Sequence, residues 1–240
     1  MKISKLLGFQ VLDSRGRPTV AASITLEDGT THTARVPSGA STGKHEALEL
    51  RDGDTLGKNS FYGPLSVSGA VSNINLRIAP LVVGKQADLN FVDGVIRDID
   101  TTSNFSSLGA NATLAVSLAS AKASAHSQNL SLARYFQPKG NLLIPMPMVN
   151  ILSGGAHAKR SLDFQDVLVI PNGAISFTEA LAWIVAIRET AAKLGSQAGM
   201  VTHLVADEGG LGIAFDSIEL AIDFVVQAIE KVGLKPKTQV

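Results

Sequence analysis

The residues of this chain best placed to do chemistry are Asp207 and Glu208, adjacent carboxylates between the apolar run Val201-Thr-His-Leu-Val-Ala206 and the turn Gly209-Gly-Leu-Gly212. Neighbouring carboxylates repel, so both stay ionised only beside a cation or strong donors; otherwise one keeps its proton at neutral pH. The first state suits a metal ligand and the second a general acid. The glycines permit a sharp turn and leave room beside Glu208 for a ligand. Val201, Leu204, Val205 and Ala206 are expected to be held by a core. A solvated loop with a turn-forming Asp would show the same residues, so this stretch alone leaves both readings open.

A second polar concentration is Arg35-Val-Pro-Ser-Gly-Ala-Ser-Thr-Gly43, a loop of small residues with hydroxyls at Ser38, Ser41 and Thr42. Its amides and hydroxyls suit an anion or a hydrated cation, and its lack of bulk permits an open and a closed form. A flexible linker has the same composition. The glycine and lysine spacing is not that of a phosphate-binding P-loop. Asp13-Ser-Arg-Gly-Arg-Pro18 marks a turn whose two arginines could pair with carboxylates across an interface. His126 reads as a favourable charge at a helix C-terminus rather than a ligand, and Trp183 as core.

The elements that must position these groups follow from periodicity. Residues 9–12, 19–26 and a return through Thr33 after a Glu27-Asp-Gly29 turn predict an antiparallel meander. Helices are predicted over 64–78, 88–100 and the alanine-rich 111–126, which must pack on at least two sides. Residues 129–140, with Pro138 and Gly140, form the best domain boundary. Beyond it, strands are predicted over 142–152 and 164–171. On the second, Gln165, Val167 and Val169 share one face, and Asp166, Leu168 and Ile170 the other. Ser176 and Glu179 open a helix through Leu194 as a capping box. An amphipathic helix spans 217–232, with room for a further strand after Gly233.

Composition narrows the function classes. At 240 residues and 45% hydrophobic, the chain can bury a sizeable core. Its 21 basic and 21 acidic residues remove any global electrostatic case for nucleic acid or an anionic membrane. Without cysteine there is no thiolate metal site, so any metal must use oxygen or imidazole, and a reducing, cytoplasmic setting is expected. No apolar run approaches the ~20 residues of a membrane span.

Four segments together resemble the enolase (phosphopyruvate hydratase) family, in order along the whole chain. They are Val11-Leu-Asp-Ser-Arg-Gly-Arg-Pro-Thr-Val20, Val36 to Asp54 with its His45-Glu-Ala-Leu-Glu-Leu-Arg-Asp-Gly-Asp54 half, Asn150 through Ala158, and Asp207-Glu-Gly-Gly210. The resemblance implies an α+β N-terminal domain over 1–140, with a lid loop at 36–43. It implies the opening portion of an enolase-type TIM-like α/β barrel over 141–240. The implied reaction is reversible dehydration of 2-phosphoglycerate to phosphoenolpyruvate in glycolysis and gluconeogenesis, with two Mg²⁺ ions and a lysine base, the known division of labour in the enolase superfamily. Within it Glu208 matches the general acid, Gln165 and His157 match groups that contact substrate, and Ser41 matches the serine that closes over the second Mg²⁺ and the phosphate. Asp166 stands where the family usually has a catalytic Glu, one methylene longer. A homodimer is the family's expected assembly.

Residues 143–240 are too few for the ~250 of a complete eight-stranded barrel. The principal Mg²⁺ ligands and the base lysine are expected beyond them, so activity is expected only with a complementing C-terminal part. The alternative is a catalytically inactive enolase-like binding or assembly module, which Asp166 favours.

Overall fold

A computed structural model describes residues 1–39, 41–53, 60–158, 162–206 and 209–240, without the side chains of Ala156 and His157. The chain divides into two compact units, Met1–Leu142 and Leu143–Val240.

In the first unit the strand-forming runs pair as an antiparallel sheet in the order β1 (Ile3–Leu12), β2 (Pro18–Leu26), β3 (Thr31–Arg35). The meander is as expected, except that β1 begins at Ile3 rather than Phe9. Asp13 closes the β1–β2 turn, its Oδ1 accepting from the backbone N–H groups of Arg15 and Arg17 at 2.8 Å each. The Arg17 N–H chiefly holds the Asp13 carboxyl below its ordinary pKa, with Arg15 adding to it. Ile3, Leu6, Val20, Ala22, Ile24 and Leu26 join the core from the sheet.

The helix expected over 64–78 is instead a 3₁₀ turn, Gly63–Leu65, and a later run: α1 (Ser68–Ser72), a π-helical stretch (Asn73–Ile78) and α2 (Ala79–Val82). Pro80 has no N–H to give the preceding turn, which breaks regular α bonding there. Buried Asp52 accepts from the N–H groups of Ser68 and Gly69, at 3.1 and 2.8 Å, and so caps the start of α1. Burial alone would push its carboxyl up, but these donors together with the Ser66 and Ser68 hydroxyls outweigh it and leave the pKa lowered. At Gly8 the strand crosses the helical run so closely that a Cβ would lie 2.8 Å from that of Ile74.

Asp88 caps α3 (Leu89–Ile99) by accepting from Phe91 N–H at 2.8 Å. α4 (Ala110–Ser127) is buried on several faces, as its alanine content requires, and packs on β2 and β3. His126 in its last turn sits with Nε2 3.1 Å from Asp28 Oδ2 and its ring 4.8 Å from that of His32. A short helix, α5 (Leu132–Phe136), occupies part of the segment read as a boundary. Its Ser131 cap accepts from Arg134 N–H at 3.2 Å.

In the second unit β4 (Val149–Ser153) and β5 (Asp166–Val169) pair antiparallel. Both are shorter than the predicted 142–152 and 164–171. Pro145 and Pro147 cannot donate to a ladder, so pairing starts only after them. Alternation on β5 holds, with Val167 and Val169 buried and Leu168 and Ile170 exposed. Gln165 is outside the strand and exposed.

Helices α6 (Phe177–Gln197) and α7 (Ile218–Lys231) pack together beside this sheet. Ser176 Oγ accepts from Glu179 N–H at 3.1 Å, while Glu179 Oε2 takes the N–H of Ile175 at 2.7 Å, one residue before the box position. Three expectations fail. Trp183 is only half-buried, because the core face of α6 is set by Ala180, Ile184, Ile187 and Ala191. Leu204 and Val205 are 58% and 59% exposed, and the core takes Leu211 and Ile213 from the far side of the glycine turn instead. Residues after Gly233 form turns rather than a strand, with Gln239 N–H bonded to Lys235 O at 2.9 Å.

Candidate functional site

Three backbone segments meet around Asp166. In the β4–β5 ladder Ser153 faces Asp166 and Asn150 faces Leu168, with a bulge between Asn150 and Leu152. The bulge changes the alternation along β4. Asn150 then reaches across the ladder: its Nδ2 donates to Ser153 Oγ at 2.8 Å and to Asp166 Oδ1. Asn150 Oδ1 is shut off from water with no hydrogen-bond partner among the described residues.

The third segment is the glycine turn. Leu211 donates to Ile151 O at 2.9 Å and accepts from Ser153 N–H at 3.0 Å, which sets it parallel alongside β4. Gly210, one residue earlier, lies so close to the polar pair that a Cβ would be 3.0 Å from Asn150 Cγ and closer still to Ser153 Oγ. Only glycine fits there. Asp207 and Glu208 lie outside the described residues, but their flanks are placed. Ala206 N–H donates to Gly210 O, and Gly209 N–H to Ala206 O, each at 2.9 Å. Arg188 of α6 donates to Gly209 O through Nε at 3.2 Å and NH2 at 2.9 Å. Ala206 and Gly209, the described residues that flank the pair, are therefore tied through Gly210 to the cluster that holds Asp166.

The remaining candidates are distributed around this cluster. Gly154 and Gly155 turn against residues 162–165, Gly154 N–H donating to Gln165 O at 2.7 Å and Gly155 N–H to Leu162 O at 2.9 Å. The backbone of Gln165 is thus part of the site's scaffold, while its side chain is exposed. His157 sits on the one-turn helix Gly155–Ala158, and its side chain is outside the described set, as are Lys159 and Arg160.

Ser41 belongs to the first unit. The loop around it is fastened at both ends by charged side chains. Ser38 O accepts from Arg15 NH2 at 2.8 Å, and Ser38 Oγ donates to Glu49 Oε2 at 3.0 Å and accepts from Arg51 NH2 at 3.2 Å. Arg51 is ion-paired to Glu49 at 2.7 Å. At the other end Gly43 N–H donates to Glu46 Oε2 at 2.8 Å. Ser41, between these anchors, is exposed. Each arginine of the Asp13–Pro18 turn was a candidate for an interface; Arg15 instead serves the loop of its own unit.

Sequence reasoning gave no role to Asn150, Ser153, Arg188, Arg51 or Glu49. An Asn just before an apolar Ile-Leu pair and an Arg inside the apolar stretch of α6 were the available signals.

The chain matches the family model for the enolase N-terminal domain over residues 3–136 and that for the enolase C-terminal TIM barrel domain over residues 141–240. The chain belongs to the enolase family. It is 45% identical over 239 residues to an enolase of Mesomycoplasma hyorhinis, covering 99% of this chain and 53% of that protein. It is 44% identical over 242 residues to an enolase of a Nitratiruptor species, covering 99% of this chain and 55% of that protein. The chain thus spans about half the length of the curated relatives it matches. The described residues form no closed barrel, in keeping with the short β4–β5 sheet and its two flanking helices.

Enolases imply Mg²⁺, whose ligands are hard oxygens that need mutual convergence. Among the described residues no three His, Asp or Glu side chains converge to hold a metal. Asp166 brings one carboxylate, already engaged by Asn150, and Asn150 Oδ1 one neutral oxygen. That set does not make a two-metal centre, and no chemical step through the metal follows from it. No helix among the described residues is long and apolar enough to cross a membrane.

Proposed function

We propose that this chain supplies the lid domain (1–140) and the opening of the barrel (141–240) of an enolase. That enzyme interconverts 2-phosphoglycerate and phosphoenolpyruvate by loss and gain of water, with Mg²⁺ as cofactor, as a cytoplasmic enzyme and a dimer. The observation that carries this reading is the ordered match of both enolase domain models across the chain. In this reading Glu208 is the general acid at the departing hydroxide, Asp166 assists it from β5, and Gln165 and His157 contact substrate. Ser41 closes over the phosphate side on a loop whose ends are already pinned. The remaining ligands and the base come from polypeptide beyond residues 1–240, whether continuous with them or separate.

The test is phosphoenolpyruvate formation in Mg²⁺, by the chain alone and after refolding with the C-terminal half of a related enolase. Turnover only in the mixture is expected. A folded, assembled mixture without turnover would remove the proposal.

One observation favours a second reading, an enolase-like binding module without catalysis. Asp166 is a methylene shorter than the family's Glu and is held by Asn150, and misplacement of a catalytic group by about 1 Å can cost on the order of 10²-fold in rate. Asp166→Glu in the complemented assembly separates the two: a large gain from a near-zero baseline supports the module, whereas substantial turnover before the change supports the enzyme.

A further inference from the structure

Within the first unit, α3 and α4 leave between them a cavity of about 310 Å³. Small-molecule pockets run about 300–1,000 Å³, so this one suits a ligand of few atoms. Its wall is mostly apolar, formed by Ala47, Ile96 of α3, Phe105, and Ala110 and Leu114 of α4, with Thr113 and Ser117 of α4 also lining it. Leu114 is 45% exposed on a helix otherwise buried on several faces. Phe105 stands at φ 55°, a left-handed conformation that a bulky residue adopts only where surrounding structure imposes it. Its place in the wall is therefore set by packing rather than by local preference.

Two charged side chains of α3, Asp93 and Arg97, also line this cavity. They are four residues apart, with Cβ atoms about 5–6 Å apart by helix geometry, in the order that usually pairs Asp with Arg. Here no ion pair joins them, and neither side chain makes a hydrogen bond among the described residues. Asp93 Oδ1 is shut off from water with no donor among those residues. A carboxylate oxygen sequestered in this way lacks a partner that the fold itself does not provide.

One side of the apolar hollow thus lacks a donor for a carboxylate oxygen, and one helical turn away the exposed Arg97 guanidinium has solvent but no described protein acceptor. We propose that the cavity binds a free α-amino acid with an apolar side chain. Its ammonium donates to Asp93, its carboxylate accepts from Arg97, and its side chain fills the space between Ile96, Phe105 and Leu114. A simple amine would leave the Arg97 guanidinium to water, and a simple carboxylic acid would leave the sequestered Asp93 oxygen without a donor. This site lies in the first unit and does not depend on the enolase reading.

Isothermal titration of the full chain with L-leucine and L-phenylalanine tests it, alongside 3-methylbutylamine and 4-methylpentanoate, which each keep one charge of leucine. Saturable binding of at least one amino acid is expected, with both single-charge analogues weaker by about tenfold or more. Asp93→Asn and Arg97→Gln should each weaken amino-acid binding to a similar degree, and Leu114→Trp should abolish it by filling the space. Thermal melts establish that each variant is folded; should one variant fail to fold, the analogue series on the parent chain decides alone. Absence of saturable binding by both amino acids, equal affinity for either analogue, or undiminished binding in folded Asp93→Asn and Arg97→Gln would overturn the proposal.

Discussion

Asn150 donates a hydrogen bond across the β4–β5 ladder to the carboxylate of Asp166, and the same amide group bonds Ser153 Oγ. The arrangement fixes the Asp166 carboxylate from the protein side before any ligand arrives. A charge-assisted bond of this kind contributes about 1.5–3 kcal/mol. Asn150→Asp is nearly the same shape but replaces the donor with a second carboxylate. Two carboxylates at that separation cannot both ionise cheaply, so the pair should hold a proton at neutral pH. The variant is expected to lose about 1–3 kcal/mol at pH 7 and to regain stability as pH falls. Urea unfolding across pH checks this; a loss independent of pH would show that repulsion is not the cause.

Gly209 and Gly210 are adjacent but carry different constraints. Gly210 has Ser153 and Asn150 where a Cβ would go, whereas Gly209 has none of the described residues within 4 Å of that position and stands at φ 82°. Gly210→Ala is a packing error costing about 1–3 kcal/mol, and Gly209→Ala a backbone strain of about 1–2 kcal/mol. Combining each with Ser153→Ala distinguishes them. The obstacle at 210 is partly removed, so that double variant should be more stable than the sum of its singles by about 0.5 kcal/mol or more, while the 209 double should be additive. Chemical denaturation of the single and double variants supplies the measurement.

The end of α4 makes stability depend on pH in two windows. Burial, then the neighbouring charges of His126 and Lys122, hold the His32 pKa below its ordinary 6.5, with Asp28 opposing them. The unfolded chain therefore takes up this proton first, and stability present above about pH 6.5 is lost as pH falls below it. Asp28 is lowered from 3.8 to about 2, chiefly by the Thr30 hydroxyl and N–H, with His126 contributing. Its contribution is full above 3.8 and disappears as pH falls towards about 2. His32→Gln should flatten the upper window only and Asp28→Asn the lower only. Thermal midpoints measured across pH decide, and an unchanged profile in either variant would contradict its assignment.

The lid anchors predict a separable effect. Arg51 also donates to Pro18 O at 2.9 Å and to Leu65 O, so it ties the loop base to the sheet and to the turn before α1. Arg51→Met should loosen Ser38 and raise the rate of tryptic cleavage after Lys44 without unfolding the sheet. Unchanged cleavage in a folded variant would show that the loop is positioned by other contacts.

Much of this was legible from residue pattern. The meander, the α3 and α7 spans, and the Ser176 cap follow from local signals, namely alternation, capping residues and period 3.6, which act within one element. The misreadings share a different cause. Val201, Leu204, Val205 and Ala206 are apolar, yet Leu211 and Ile213 compete for the same core and win, because Leu211 can pair with Ile151 and Ser153 on β4. Trp183 lost the core face of α6 to smaller residues spaced to meet β4. The Asn150–Asp166 bond was invisible because a bulge, which no local residue announces, decides which side chains of β4 and β5 meet. The lid's fastening by Glu49 and Arg51 was hidden for a related reason: a mixed-charge stretch reads as solvated surface until its partners are known.

The central claim, proposed above, is that Glu208, whose described neighbours Gly209 to Leu211 run into the Asp166 cluster, is the proton-delivering acid of an enolase completed by a C-terminal half. The most direct measurement is the Mg²⁺-dependent rate of phosphoenolpyruvate formation by that complemented assembly, with Glu208 and with Glu208→Gln, in samples shown to assemble equally. A loss on the order of 10²–10⁴-fold is predicted, the range of general acid catalysis. Undiminished turnover in the Gln variant would contradict the claim.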